Sequence, residues 1–192
     1  MKLYLTIIGA CALIISTVIT LAAKLNFFYV FGFTALAILL VIVIDALTAT
    51  VARLLPKACA NHEKKIFTVG AKEKKFYEKL KIRKWKDLVP EIGHFTGFRK
   101  NKIADPKSVE YLDRFLLEAC YGEIGHFYSL FTGFLLLLLF PLMKIWFAVS
   151  LPVCIINIFM NLPSLFILRY NSYKLVVLKK NLLKKQNREK AE

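Results

Sequence analysis

The chain lacks the motifs on which soluble enzymes are usually built. It has no Walker loop, no G-x-G-x-x-G, no G-x-S-x-G and no His-x4-Asp, so the common phosphate-cradling, dinucleotide and nucleophile-elbow templates have nothing to attach to. Cysteines are few and far apart. Cys11, Cys59, Cys120 and Cys154 form no C-x-x-C pair, which argues against a zinc site or a disulfide framework and for small buried hydrophobes. Acidic residues are scarce as well: 13 Asp and Glu stand against 28 Lys and Arg, a net charge of +15. No zinc knuckle, RNP pattern or helix-turn-helix cue accompanies that charge, so nucleic acid is not expected as a partner.

What the chain does have is apolar surface. It is 57% hydrophobic with a mean hydropathy of +0.54, too apolar for an ordinary soluble domain and too charged to lie wholly in lipid. The two are compatible only if the charges are segregated, and they are. Of the 28 cations, 17 lie between Arg53 and Arg114 and 8 lie from Arg169 to the end. Long apolar runs beside basic blocks point to membrane lipids as partners, since each Lys or Arg near an anionic leaflet adds about 1 kcal/mol of attraction.

A membrane span needs roughly 20 apolar residues, and four runs approach that length. The expected spans are about 3–23, 27–55, 124–143 and 146–168. The first ends on Ala22-Ala23 like a signal peptide, but the run is long for one and Lys2 is a thin basic flank, so a retained span is expected. Pro141 should break the third, and Pro152 and Pro163 should kink the fourth. Residues 56–114 form a basic loop and 169–192 a basic tail. Within the loop, Glu73 to Lys86 reads as a basic helix with Phe76, Tyr77, Leu80 and Trp85 interleaved, the pattern of a helix lying in the headgroup layer. Asp105-Pro106 reads as the start of a further helix, with Asp105 as its cap. The expected fold is thus an all-α integral membrane protein, one membrane domain over 1–192, with about four transmembrane helices and an interfacial amphipathic helix. The Lys/Arg bias puts loop, tail and N-terminus on the cytoplasmic side.

The stretch Glu118 to Phe127 carries the most chemistry. On a helix Glu123 and His126 are one turn apart on a shared face, and Glu118, a little over two turns before His126, can join them. Ionisable groups entering a bilayer are costly and mark a functional site by default. A carboxylate beside a histidine can fix its tautomer and let it act as a general base. The alternatives are solvation at headgroup level or structural hydrogen bonds. Glu-x-x-His is also a di-metal spacing, and Glu91-Ile-Gly-His94-Phe repeats the string, but its glycines and Pro90 make it look like a loop, so no metal is expected. Lys81 to Lys86 sets Arg83 and Lys84 beside Trp85, where cations can hold phosphate groups. Arg169-Tyr170-Asn171 ends the fourth run; Arg169 can pair with the Glu118/Glu123 group or serve as a snorkelling anchor. Asp45, inside the second run, is expected to pair with Arg53 two turns on. His62 reads as solvated.

Taken in order, Arg83-Lys84-Trp85-Lys86, Glu118-x4-Glu123-x2-His126-aromatic, Asn161-x-Pro163 and Arg169-Tyr170-Asn171 resemble the glycosyl-4,4'-diaponeurosporenoate acyltransferase family. The resemblance covers roughly Phe76 to Leu178. It departs between Glu91 and Pro106, and it has Phe127 where a Trp is expected. It implies a small bacterial cell-membrane enzyme of carotenoid biosynthesis that moves a fatty acyl group onto a sugar hydroxyl of a glycosylated carotenoid. It also implies a fatty acyl thioester donor, no resident cofactor, and site residues Arg83, Trp85, Glu118, Glu123, His126, Asn161, Arg169 and Asn171.

Three functions are then open. The first is acyl transfer to a lipid-linked hydroxyl, with His126 as base, Glu123 orienting it, Glu118 or Asn161 assisting, and Arg83, Lys84 and Arg169 holding anionic groups. The second is another lipid-directed transferase or reductase with a nucleotide cofactor. The third is a non-enzymatic lipid-binding scaffold in which the acid–histidine residues are structural.

Overall fold

A computed structural model describes residues 2–89, 103–140 and 143–190. The repeated Glu91/His94 string and Pro141 lie outside the described residues. Among these residues the chain is helical with no strand: α1 (Lys2–Ala23), α2 (Phe27–Leu54), α3 (Ala71–Lys79), α4 (Ile82–Trp85), α5 (Val109–Thr132) and α6 (Lys144–Glu189), with short 3-10 segments at Lys86–Leu88 and Gly133–Leu138. Three helices, α1, α2 and α6, are long and apolar enough to cross a membrane. The chain forms two compact units, Met1–Arg53 with Gly125–Leu162, and Leu54–Ile124 with Pro163–Glu192.

In the first unit, α1 turns into α2 through Lys24, which takes a left-handed conformation. Asn26 caps α2 by accepting the amides of Phe28 and Tyr29 at 2.9 and 3.2 Å, partners that the first turn of a helix otherwise lacks. The core of this unit gathers Ile15, Val30, Ala37, Val41, Leu136, Trp146, Val149 and Val153. Ser16 bonds Thr34 at 3.2 Å within it, as buried hydroxyls require.

The third apolar run departs from expectation. Helix α5 stops at Thr132 and continues as the 3-10 segment, so the change of helix type comes within the run. Side chains of α6 reach the carbonyls here: Cys154 bonds that of Gly133, and the Trp146 indole donates at 2.9 Å to that of Leu136, which also accepts the Leu139 amide at 3.2 Å. Gly133 permits this approach, because a Cβ there would lie 2.9 Å from Asn157 Nδ2. By contrast, α6 runs without interruption through Pro152 and Pro163 and carries the basic tail as helix to Glu189.

In the second unit, the first half of α5 packs on the last part of α6 through Leu112, Phe115, Leu116 and Leu175, and Lys179 pairs with Asp113 at 2.5 Å. A second cluster joins Ala60 and Phe67 to Cys120 and Tyr121, and Tyr121 donates to the Leu55 carbonyl at 2.9 Å. Helix α5 starts three residues later than Pro106 suggested: Ser108 Oγ accepts the Tyr111 amide at 3.1 Å, while Asp105 accepts that of Lys107 in a turn before it. The expected continuous helix from Glu73 to Lys86 is broken. Lys81 adopts φ 53°, a left-handed conformation that ends α3 and starts α4. Tyr77 and Ile82 are buried, whereas Phe76 is half exposed.

Candidate functional site

Among the described residues, each unit contains a buried cluster of charged and amide side chains. The first unit's cluster hangs on α2, α5 and α6. His126 Nδ1 and Asn161 Oδ1 are 2.8 Å apart. Asn161 Nδ2 in turn donates to Asp45 Oδ2 at 2.9 Å and to the Asn157 carbonyl and Oδ1, both at 3.1 Å. Asn157 Nδ2 donates to Asp45 Oδ1 at 3.2 Å and to the Ser129 carbonyl at 3.3 Å. Asn157 and Asn161 are buried and stand one turn apart on α6, so both amides reach one carboxylate. Gly125 lets α5 approach α2 here: its missing Cβ would lie 3.5 Å from the Ala49 Cα. Thr48 and Thr132 add a hydroxyl pair at 3.0 Å.

One expectation changes in this unit. Both Asp45 carboxylate oxygens are engaged by the amides of Asn157 and Asn161. The carboxylate at the end of the histidine's hydrogen-bond chain is therefore Asp45, with Asn161 between them, where Glu123 was expected. No described residue bonds His126 Nε2.

The second unit's cluster centres on Arg169 of α6. Its guanidinium forks onto Glu73 of α3, with Nε on Oε1 and Nη2 on Oε2 at 3.0 Å. Nη1 donates to Glu123 Oε2 at 3.0 Å and to the Ile66 carbonyl at 2.9 Å. Glu123 is only 3% exposed, and its other oxygen accepts from Ser172 Oγ at 2.9 Å. Tyr77 donates to Glu73 Oε1 at 2.5 Å. Gly122 stands against Leu168, whose Cδ1 would be 2.9 Å from an added Cβ, which sets Glu123 close to this stretch of α6. Burial opposes the charge on Glu73, but the hydrogen bonds from Arg169 and Tyr77 outweigh it and hold the carboxyl below its usual range. Burial, then the bond to Glu73, pushes the Tyr77 phenol above its own.

Of the roles open to Arg169, pairing with the Glu118/Glu123 group is the one observed, through Glu123. Its donors are directed at protein oxygens, which makes it a clamp between α3, α5, α6 and the loop at Ile66. Bidentate guanidinium–carboxylate pairs are among the stronger and more directional contacts available. Glu123 belongs to this clamp.

The remaining expected site residues are placed as follows. Arg83 and Lys84 are exposed on α4, and the Trp85 indole donates to the Leu80 carbonyl at 2.9 Å. Glu118 and Asn171 are partly buried on α5 and α6. His62 is not simply solvated: burial and then the Lys179 cation lower its pKa, while Asp113 and Glu63 act in the opposite sense. Among the described residues no group of three or more His, Cys, Asp or Glu could hold a metal ion.

Sequence reasoning missed Asn157, Glu73, Tyr77 and Ser172 and undervalued Asp45. Two amides four residues apart in an apolar helix, and one acid inside another, were the available signals. No curated protein and no solved structure matches the chain. A family model described as CrtO, glycosyl-4,4'-diaponeurosporenoate acyltransferase, matches residues 61–181. That match extends over more than half of the chain and includes the acid–histidine stretch and the Arg169 clamp, and the chain therefore belongs to this family of acyltransferases.

Proposed function

We propose that the protein is a membrane acyltransferase that moves a fatty acyl group from a thioester onto a hydroxyl of a lipid-linked, glycosylated, carotenoid-like acceptor. Family membership supports the reaction class. The observation that carries the assignment of the base is the 2.8 Å contact between His126 Nδ1 and Asn161 Oδ1. An amide oxygen accepts only, so Nδ1 bears the hydrogen and the lone pair of a neutral ring sits on Nε2.

In this reading Nε2 takes the proton of the acceptor hydroxyl as its oxygen attacks the thioester carbonyl carbon. The carbon–sulfur bond breaks, the ester forms, and the departing thiolate recovers the proton from the imidazolium. Arg83 and Lys84, exposed on α4, are assigned to anionic groups of donor or acceptor. The basic loop and tail are assigned to the cytoplasmic side by their Lys/Arg excess, where an acyl thioester is available.

Lipid extracts of bacteria expressing the wild-type protein or His126→Ala, compared by mass spectrometry, test this. The acylated lipid should disappear in the variant and its unacylated precursor accumulate. Unchanged acylated lipid at equal protein level would overturn the assignment of His126.

A further inference from the structure

We infer that Asp45, acting through Asn161, sets the tautomer of His126 and is a positioning residue for the base. The catalytic consequence rests on the acyl-transfer reading above; the tautomer control does not.

The Asn161 amide can in principle point either way. As placed, its Nδ2 faces Asp45 Oδ2, the Asn157 carbonyl and Asn157 Oδ1, at 2.9, 3.1 and 3.1 Å. Turned over, Oδ1 would face those same three oxygens, all acceptors, with no donor among them. In a buried setting that sets Asn161 Oδ1 against Asp45 Oδ2 and Asn157 Oδ1 with no proton between them, at about 1–3 kcal/mol for each unsatisfied group. The surroundings therefore select the observed orientation. Asp45 is the one carboxylate in this set, and hydrogen bonds to an ionised acceptor are the strong ones.

Asn157 holds Asp45 in turn. Its Nδ2 occupies the other carboxylate oxygen, Oδ1, at 3.2 Å, and is itself placed by the Ser129 carbonyl at 3.3 Å and by the space left at Gly133. With Nδ2 committed to Asp45, Asn161 Oδ1 has only the histidine to receive from. A neutral imidazole has one N–H, and this arrangement assigns it to Nδ1. Asp45 lies 116 residues from Asn161 in the chain, and it acts on the ring without touching it.

The test uses full-length protein in detergent micelles with 15N-labelled histidine, the His126 ring signals being identified by their loss in His126→Ala. Wild type should show the Nδ1–H tautomer alone. Asp45→Asn replaces an acceptor with a group of the same shape that donates on one side. It should add a population of the Nε2–H tautomer and lower kcat at least about tenfold with KM little changed. Asp45→Ser, which removes the carboxylate without adding a second amide, should also give a mixture and stands in if Asp45→Asn does not accumulate. Retention of the Nδ1–H form alone in both variants, or an Nε2–H ring in wild type, would overturn the inference. A tautomer shift without change in acylation would instead leave the inference standing and remove His126 from the reaction.

Discussion

The two buried clusters use similar residue types to opposite ends. Around Arg169, two carboxylates, two hydroxyls and a backbone carbonyl meet one guanidinium, and its bonds run from protein to protein. Around His126, the charged group is one step removed from the ring, the Asn161 amide intervenes while Asn157 holds the other carboxylate oxygen, and the hydrogen bonds end at Nδ1 with Nε2 unengaged by any described residue. A cluster that closes on itself rigidifies; a cluster that stops one bond short leaves a group able to accept a proton. The charged residues that stood out in the sequence are therefore divided between two clusters, one of which holds helices together and one of which the proposed function gives the chemistry.

The comparison can be broken by deleting the centre of each cluster. His126→Ala should lower acyl transfer by about 10²–10⁴-fold while thermal unfolding in detergent changes little. Arg169→Ala should do the reverse, costing about 3–5 kcal/mol of stability because Glu123 and Glu73 lose their cation. If Arg169→Ala instead unfolds like wild type and loses only turnover, the clamp reading is wrong.

A smaller effect is expected from Gly133→Ala. The added methyl would meet Asn157 Nδ2 at 2.9 Å and Val41 Cγ2 at 3.3 Å, costing about 1–3 kcal/mol. It should also reduce turnover by displacing the amide that holds Asp45, and a denaturation curve with parallel kinetics would show both.

Acid sharpens the contrast further. The folded-state pKa of Glu73 lies below its unfolded value, so its contribution is present above the ordinary carboxylate range and is lost as pH falls through the depressed value. Stability measured across the acid limb should fall for wild type and be flatter for Glu73→Gln. The smallest effect belongs to Arg83→Ala and Lys84→Ala. Both side chains are exposed, so stability should stay within about 0.5 kcal/mol, and any loss of activity should appear in KM, read by substrate titration.

Much of the architecture was legible without coordinates. The runs at 3–23 and 27–55 became α1 and α2, and the fourth run lies within α6, because a long apolar stretch can satisfy its backbone in lipid only as a helix. The run at 124–143 matches the others in composition, yet α5 ends at Thr132 within it, where Gly133 leaves room and two side chains from α6 bond its carbonyls. The break at Lys81 was hidden for a similar reason, since Lys carries no turn signal and only the observed backbone reveals it. At the site, His126, Asn161, Glu123 and Arg169 were named from spacing and resemblance, and the Arg169–Glu123 pair was among the alternatives, but the partners of His126 and the Glu73 side of the clamp were not. Glu123 and His126 looked like partners because one turn separates them, and sequence spacing weighs near neighbours above distant ones.

By itself, then, the sequence determined the helical spans, the segregation of positive charge and the family, because these depend on composition and on patterns local to one helix. Only the tertiary structure decided that Arg169 joins Glu73 across 96 residues and Asn161 joins Asp45 across 116. Those contacts follow from which faces of separate helices pack together, and that packing gives a histidine whose Nε2 no described residue bonds and an arginine committed to its own protein.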